Sequence, residues 1–346
     1  MGTVWFCLIA FMLTVYVVLD GFDIGAGIVH LAVARTAEER RTILRSIGPV
    51  WDANEVWLIA AGGTLYLAFP GLYASSFSGF YLPLIMVLWL LILRGISVEF
   101  RSSFAHPVWI AFWDGIFALS SVLLAVFFGV ALGNVVRGVA LDPAQRFFEP
   151  LWTNFRPEVP TGILDWYTVL VGLLALVALA VHGCAWIAFR TDGETAARAG
   201  RLLRRLWWGV VVLTVLVTWF SWDLQPQITH NLHSYPWGWI LPALAIGGLV
   251  LTWRWSGRRP LATFLASAAY LAGMLASVAF GLYPYVLPAR SDPSLSLSIE
   301  NTRAPDAGLR LALAWWAVGM VLVAFYFWML YRRMAGRAGH DESHGY

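Results

Sequence analysis

Asp20 and Asp23 are the only charged residues before Arg35, inside a long apolar stretch. Three residues apart, they share one face of a helix. Asp52 and Glu55 repeat that spacing at the start of the next apolar run, and Arg94 lies near the end of the third, with Glu99 and Arg101 just beyond it. Burial favours the neutral acid and a nearby guanidinium favours the anion, so a carboxyl held between the two can pass protons near neutral pH. Asp52, Glu55, Asp20 and Asp23 are therefore candidates for a proton path. The plainer reading is a set of structural ion pairs that lock helices together, and it suits Arg94, Glu99 and Arg101, with Glu99 paired to Arg94 or Arg101. For Asp52 the proton reading is the stronger one, because no basic residue sits one turn away on its own helix.

These residues must be held by a membrane scaffold. Of the 346 residues, 60% are apolar and 12% charged. A water-soluble domain carries about 25% charged residues to wet its surface. This chain cannot cover itself with polar groups, so its outer surface faces lipid. A net charge of +3 gives no reason to expect a nucleic-acid partner. Cys7 and Cys184 both sit in apolar runs, so neither a disulfide scaffold nor a cysteine metal site is expected. His30 and His182 are the only histidines in apolar spans; a pair of helical histidines can hold haem iron only where their helices meet at one depth. A hydrogen-bonded role is the better expectation for each, so no cofactor or metal is assigned to this chain.

A spanning helix needs about 20 mostly apolar residues. Nine stretches qualify: 4–32, 49–69, 76–99, 110–134, 163–189, 206–222, 237–255, 262–284 and 309–331. The expected fold is an all-α polytopic membrane protein, one integral membrane domain over 1–346, arranged as two four-helix bundles plus a peripheral helix. The first span is long enough to project from the bilayer or to break at Asp20-Gly21. It lacks a basic leader and is read as a membrane helix rather than a signal peptide. With the N-terminus outside, inner loops hold sixteen arginines and outer loops five. The positive-inside rule then places the N-terminus out and the C-terminus in. Small residues at Gly21, Gly25 and Gly27, and again at Gly62-Gly63, suit close helix packing. The polar tail after Arg333, with His340 and His344, is expected to be disordered.

The N-terminal third also carries a dense series of motifs. Leu19-Asp20-Gly21-Phe22-Asp23-Ile24-Gly25-Ala26-Gly27 precedes Glu39-Arg40-Arg41, and Ser46-Ile47-Gly48-Pro49-Val50-Trp51-Asp52-Ala53-Asn54-Glu55-Val56-Trp57 follows. Phe69-Pro70, Leu93-Arg94-Gly95, Glu99-Phe100-Arg101 and Trp113-Asp114 continue the order. Together these resemble subunit II of the cytochrome bd quinol oxidases. The C-terminal half matches more loosely, and Thr302-Arg303-Ala304-Pro305-Asp306-Ala307 stands where the family has a cluster of small residues and serines.

The resemblance implies a partner, subunit I, that holds two haems b, one haem d and the quinol site, in the bacterial cytoplasmic membrane. It implies quinol-driven reduction of oxygen to water in aerobic respiration, with no activity in this chain alone. It also implies that Asp52 lines a proton route from the cytoplasm between the subunits. A small single-helix subunit and bound membrane lipid are further expected partners. The alternative is a stand-alone proton-coupled membrane transporter; such proteins often have broken helices at matching positions in two halves, and no such symmetry is visible here.

Overall fold

The computed structural model describes residues 1–333. The tail with His340 and His344 lies outside the described residues. Helices dominate. The first, α1 (Gly2–Val33), runs without a break through Asp20-Gly21. A short amphipathic helix, α2 (Ala37–Ile47), follows. It is started by a reciprocal cap in which Thr36 accepts from the Glu39 backbone and Glu39 accepts from the Thr36 backbone. Then come α3 (Trp51–Ala68), α4 (Pro70–Gly79), α5 (Tyr81–Phe100), α6 (Pro107–Arg137), α7 (Trp166–Arg190), α8 (Gly193–Leu224), α9 (Pro226–Ser234), α10 (Ile240–Trp255), α11 (Pro260–Leu282) and α12 (Asp306–Arg333). A two-stranded antiparallel ribbon, β1 (Tyr285–Leu287) with β2 (Leu297–Ser298), lies in the loop before α12.

Eight helical segments among the described residues are long and apolar enough to cross a membrane. The expected span 49–69 forms α3 but is not among them, because Asp52, Asn54 and Glu55 dilute its apolar content. The expected span 76–99 divides into α4 and α5. The span expected at 206–222 reaches back to Gly193 as a 32-residue helix. Its first four turns carry Arg198, Arg201, Arg204 and Arg205, which read as loop on hydropathy although arginine is a good helix former.

Contacts give several helices a direction. Trp5, Ala68, Phe69, Phe147, Leu297 and Leu309 share one apolar cluster, which sets the start of α1, the end of α3 and the start of α12 at one end of the molecule. His30, Arg40, Arg101 and Asp114 meet at the opposite end. Helix α3 thus runs antiparallel to α1, from the level of Asp23 to that of Trp5.

The most buried span is α7. It packs against α1, α6, α8 and α11. A Cβ at Gly25 of α1 would lie 2.7 Å from the backbone N of Gly183 on α7 and 2.8 Å from its Cα, so only glycine allows this approach. Gly62 and Gly63 behave differently. Nothing lies within 4 Å of a Cβ at either, so their expected role in packing within the chain is not realised. Helix α12 buries only Leu309 and leans on α1 and α3 through Trp316, Met320, Val323 and Phe327.

Candidate functional site

The polar residues of α1, α3 and α5 converge. Asp20 and Asp23 lie on the buried side of α1, fully removed from the surface. Arg94 reaches across from α5, its Nη1 2.8 Å from Asp20 Oδ1 and its Nη2 3.4 Å from Glu55 Oε2. Asn54, beside Glu55 on α3, donates through Nδ2 to Asp23 Oδ2 at 2.8 Å and to the Leu19 carbonyl at 3.3 Å. Tyr331 of α12 donates its hydroxyl to Asn54 Oδ1 at 3.1 Å. Tyr16, one turn before Asp20, is buried beside it. Four helices therefore supply one polar cluster inside an apolar bundle.

Exposure falls stepwise through the cluster. Asp52, at the start of α3, is exposed. Glu55, one turn on, has 18% of its side chain exposed, and Asp20 has none. Three carboxyl groups, Asp20, Asp23 and Glu55, gather around Arg94, which pairs with Asp20 and Glu55. Among the described residues, Asp20 Oδ2, Asp23 Oδ1 and the Tyr16 hydroxyl are buried without a hydrogen-bond partner.

The expected pairing of Glu99 with Arg94 or Arg101 is not formed. Glu99 is exposed on α5, and no ion pair involves it among the described residues. Arg94 turns to Asp20 and Glu55 instead. Arg101 turns to Asp114 of α6, with Nε 2.5 Å from Oδ1 and Nη2 3.3 Å from Oδ2. Arg40 of α2 adds a contact at 3.1 Å to Oδ2, and His30 Nε2 lies 3.8 Å from Oδ1. One carboxylate between two guanidiniums and an imidazole ties α1, α2, α5 and α6 together. A second buried knot closes the other end, where Arg137 pairs with Glu149 at 2.8 Å and with Asp165, the N-cap of α7.

Neither buried histidine fits an iron ligand pair. His182 engages both ring nitrogens, Nδ1 with Ser267 Oγ at 2.7 Å and Nε2 with the Val18 carbonyl at 3.0 Å. His30 Nδ1 is held by the Gly27 carbonyl at 2.9 Å and its other nitrogen faces Asp114. No group of three or more metal-binding side chains occurs among the described residues.

Sequence reasoning did not place Asp114, Tyr16 and Tyr331 in any site. Asp114 carried a signal, an acidic residue inside an apolar span. Tyr16 carried a weaker one, its i to i+4 spacing from Asp20. Tyr331 carried none, because its partner lies 277 residues away.

Residues 1–334 match the family model for cytochrome bd terminal oxidase subunit II. The chain belongs to that family. It is 31% identical to the probable cytochrome oxidase subunit 2 of Haemophilus influenzae, over 96% of this chain and 94% of that one. The cytochrome bd-I ubiquinol oxidase subunit 2 of Escherichia coli K12 is 28% identical, over 98% and 95%. The bd oxidase structure from Geobacillus thermodenitrificans shares the fold, with a TM-score of 0.75 at 20% identity, covering 96% of this chain and 98% of that one. A subunit II chain is part of an oxidoreductase complex that contains haem and a subunit I, and this one is a multi-pass bacterial membrane protein.

Proposed function

We propose that this subunit II carries protons for oxygen reduction along Asp52, Glu55, Asp20 and Asp23, from the arginine-rich side of the membrane. Electrons come from quinol, and the complex's haems, two b and one d, reside in subunit I. The single observation that carries the proposal is the row of carboxyl groups of falling exposure that ends on Arg94 with more acids than bases. A balanced salt bridge would only hold helices together. An excess of carboxyl groups leaves at least one site that can gain and lose a proton, because several unpaired negative charges cannot be buried together cheaply.

The setting of this path is a single membrane domain in the cytoplasmic membrane with nine crossings, N-terminus out and C-terminus in. The directions that contacts at the two ends give α1, α3, α5, α6, α7 and α12 fit that count, and the arginine bias supports the orientation. Helices α1, α3, α5 and α6 make one group, and α7, α8, α10 and α11 the other, with α12 peripheral. Subunit I docks on the face of α3 where Gly62 and Gly63 lie open, on the same helix as the mouth at Asp52; lipid and a small single-helix subunit cover other apolar faces.

Asp52→Asn tests the path. Oxygen consumption by the assembled complex should fall about 100-fold, the range of a lost proton-transfer group, with the reduced-minus-oxidised haem spectrum unchanged. Wild-type turnover at unchanged haem content would contradict the proposal. A stand-alone transporter would instead purify without haem or a large partner, and would show proton-driven solute uptake in vesicles.

A further inference from the structure

A crevice of about 400 Å³ opens between the end of α7, the start of α8 and the turn from α10 to α11. Its walls include Ala188, Ala197, Gly200, Arg201, Arg204 and Ser256. The small residues leave the room, and a Cβ at Gly200 would meet nothing within 4 Å. Arg204 is fixed at the wall by a 2.6 Å hydrogen bond from Nη2 to the Ser256 carbonyl. Arg201 is mostly exposed and shares Glu194 at 3.2 Å.

The charge around this crevice is one-sided. Segments 194–205 and 254–259 together hold seven arginines and one acidic residue, Glu194. Arg198 is taken up by Glu39 of α2. Arg205, Arg254, Arg258 and Arg259 are exposed and make no ion pair among the described residues. Guanidinium forks match phosphate oxygens in pairs.

The same stripe of α8 says what carries the phosphate. Arg201, Arg204, Trp208, Val212 and Val215 follow at spacings of three and four residues, so they line one face. Trp208, Val212 and Val215 are all more than half exposed. Trp208 stacks edge-on with Trp207, 5.0 Å between ring centroids, and Trp207 lies 4.8 Å from Trp253 of α10. Tryptophan rings settle at headgroup depth. A cationic pocket at that depth, continued by an exposed apolar stripe, suits a molecule with an anionic head and acyl tails. A free phosphate would use the first half only.

We infer that this crevice is a binding site for the phosphate of an anionic glycerophospholipid, whose acyl chains lie along Trp208, Val212 and Val215. Attraction to each basic residue at a membrane surface predicts about 30-fold weaker binding when two arginines are removed.

The test is native mass spectrometry of the whole oxidase in detergent, titrated with phosphatidylglycerol or phosphatidylcholine. The wild type should retain one more phosphatidylglycerol than the double variant Arg201→Gln, Arg204→Gln, with no such difference for phosphatidylcholine. At Gly200 a Cβ meets nothing within 4 Å, so Gly200→Leu extends a side chain from the crevice wall and keeps α8 helical; it should lose the same lipid even where the double variant does not assemble. Retention by Gly200→Leu equal to wild type would overturn the inference. So would equal retention of the two lipids by the wild type. Displacement of the lipid by millimolar inorganic phosphate would make this a free-anion site and overturn the lipid assignment.

Discussion

Arg94 is the residue on which the buried cluster turns. It is enclosed and lies beside Asp20 and Glu55. Removing one partner of a buried pair costs about 3–5 kcal/mol, because the other charge stays buried. Arg94→Gln should therefore lower the melting temperature and the yield of assembled oxidase. Glu99→Gln, at an exposed position, should change stability by no more than about 0.5 kcal/mol. The two residues are five apart and looked alike in sequence. What separates them is which side of α5 faces α1 and α3, and a hydropathy pattern does not give that direction when every side of the helix is apolar. Asp20, Asp23 and Glu55 were legible as members of one polar cluster because a charge inside an apolar run has few benign explanations. Tyr331 was not, because tyrosine is ordinary at the end of a membrane helix.

At the scale of elements, the contact of α1 with α7 depends on Gly25 and Gly183. Gly25→Ala drives a methyl group into the α7 backbone and should sharply reduce folded yield, measured by the protein that remains monodisperse after detergent extraction. Gly62→Ala enters open space within this chain and should leave its own fold intact. In sequence the two sites show the same small-residue pattern; only the neighbouring helix tells them apart.

Helix α2 offers a pH-dependent test at the same scale. Glu39 closes its own cap and pairs with Arg198 of α8. The Arg198 hydrogen bond, with backbone donors at Arg35 and Thr36, holds its carboxyl down at about 2, below the ordinary 4.5. A depressed carboxyl stabilises the fold above the unfolded value and loses that contribution as pH falls through the folded one. Glu39→Gln should therefore destabilise the chain at neutral pH, and the difference from wild type should shrink between pH 4.5 and about 2, followed by thermal melting across that range. The boundaries of α2 and α8 escaped the apolar count because both carry runs of arginine. The cap Thr36-Ala37-Glu38-Glu39 was the local signal for α2.

For the whole molecule, an all-helical membrane fold followed directly from composition, and the family followed from motifs in the first hundred residues. Helix α3 was legible by length, but its hydropathy falls short of that of the eight long apolar helices, because Asp52, Asn54 and Glu55 make it less apolar. The knots at Asp114 and Arg137 join residues far apart in sequence, so no local window reveals them. His182 engages both ring nitrogens and His30 one of them in hydrogen bonds within the chain, contacts between residues 3 to 164 apart that no hydropathy pattern reveals.

If protons for water formation pass through the carboxyl groups of this chain, removing one of them must slow proton uptake by the complex. The direct measurement is proton uptake, followed with a pH-indicator dye, as the fully reduced oxidase reacts with oxygen in a single turnover. Glu55→Gln should slow that uptake about 100-fold while the haem spectrum stays that of the wild type. Uptake at the wild-type rate in Glu55→Gln would contradict the account and leave the cluster around Arg94 as a structural lock.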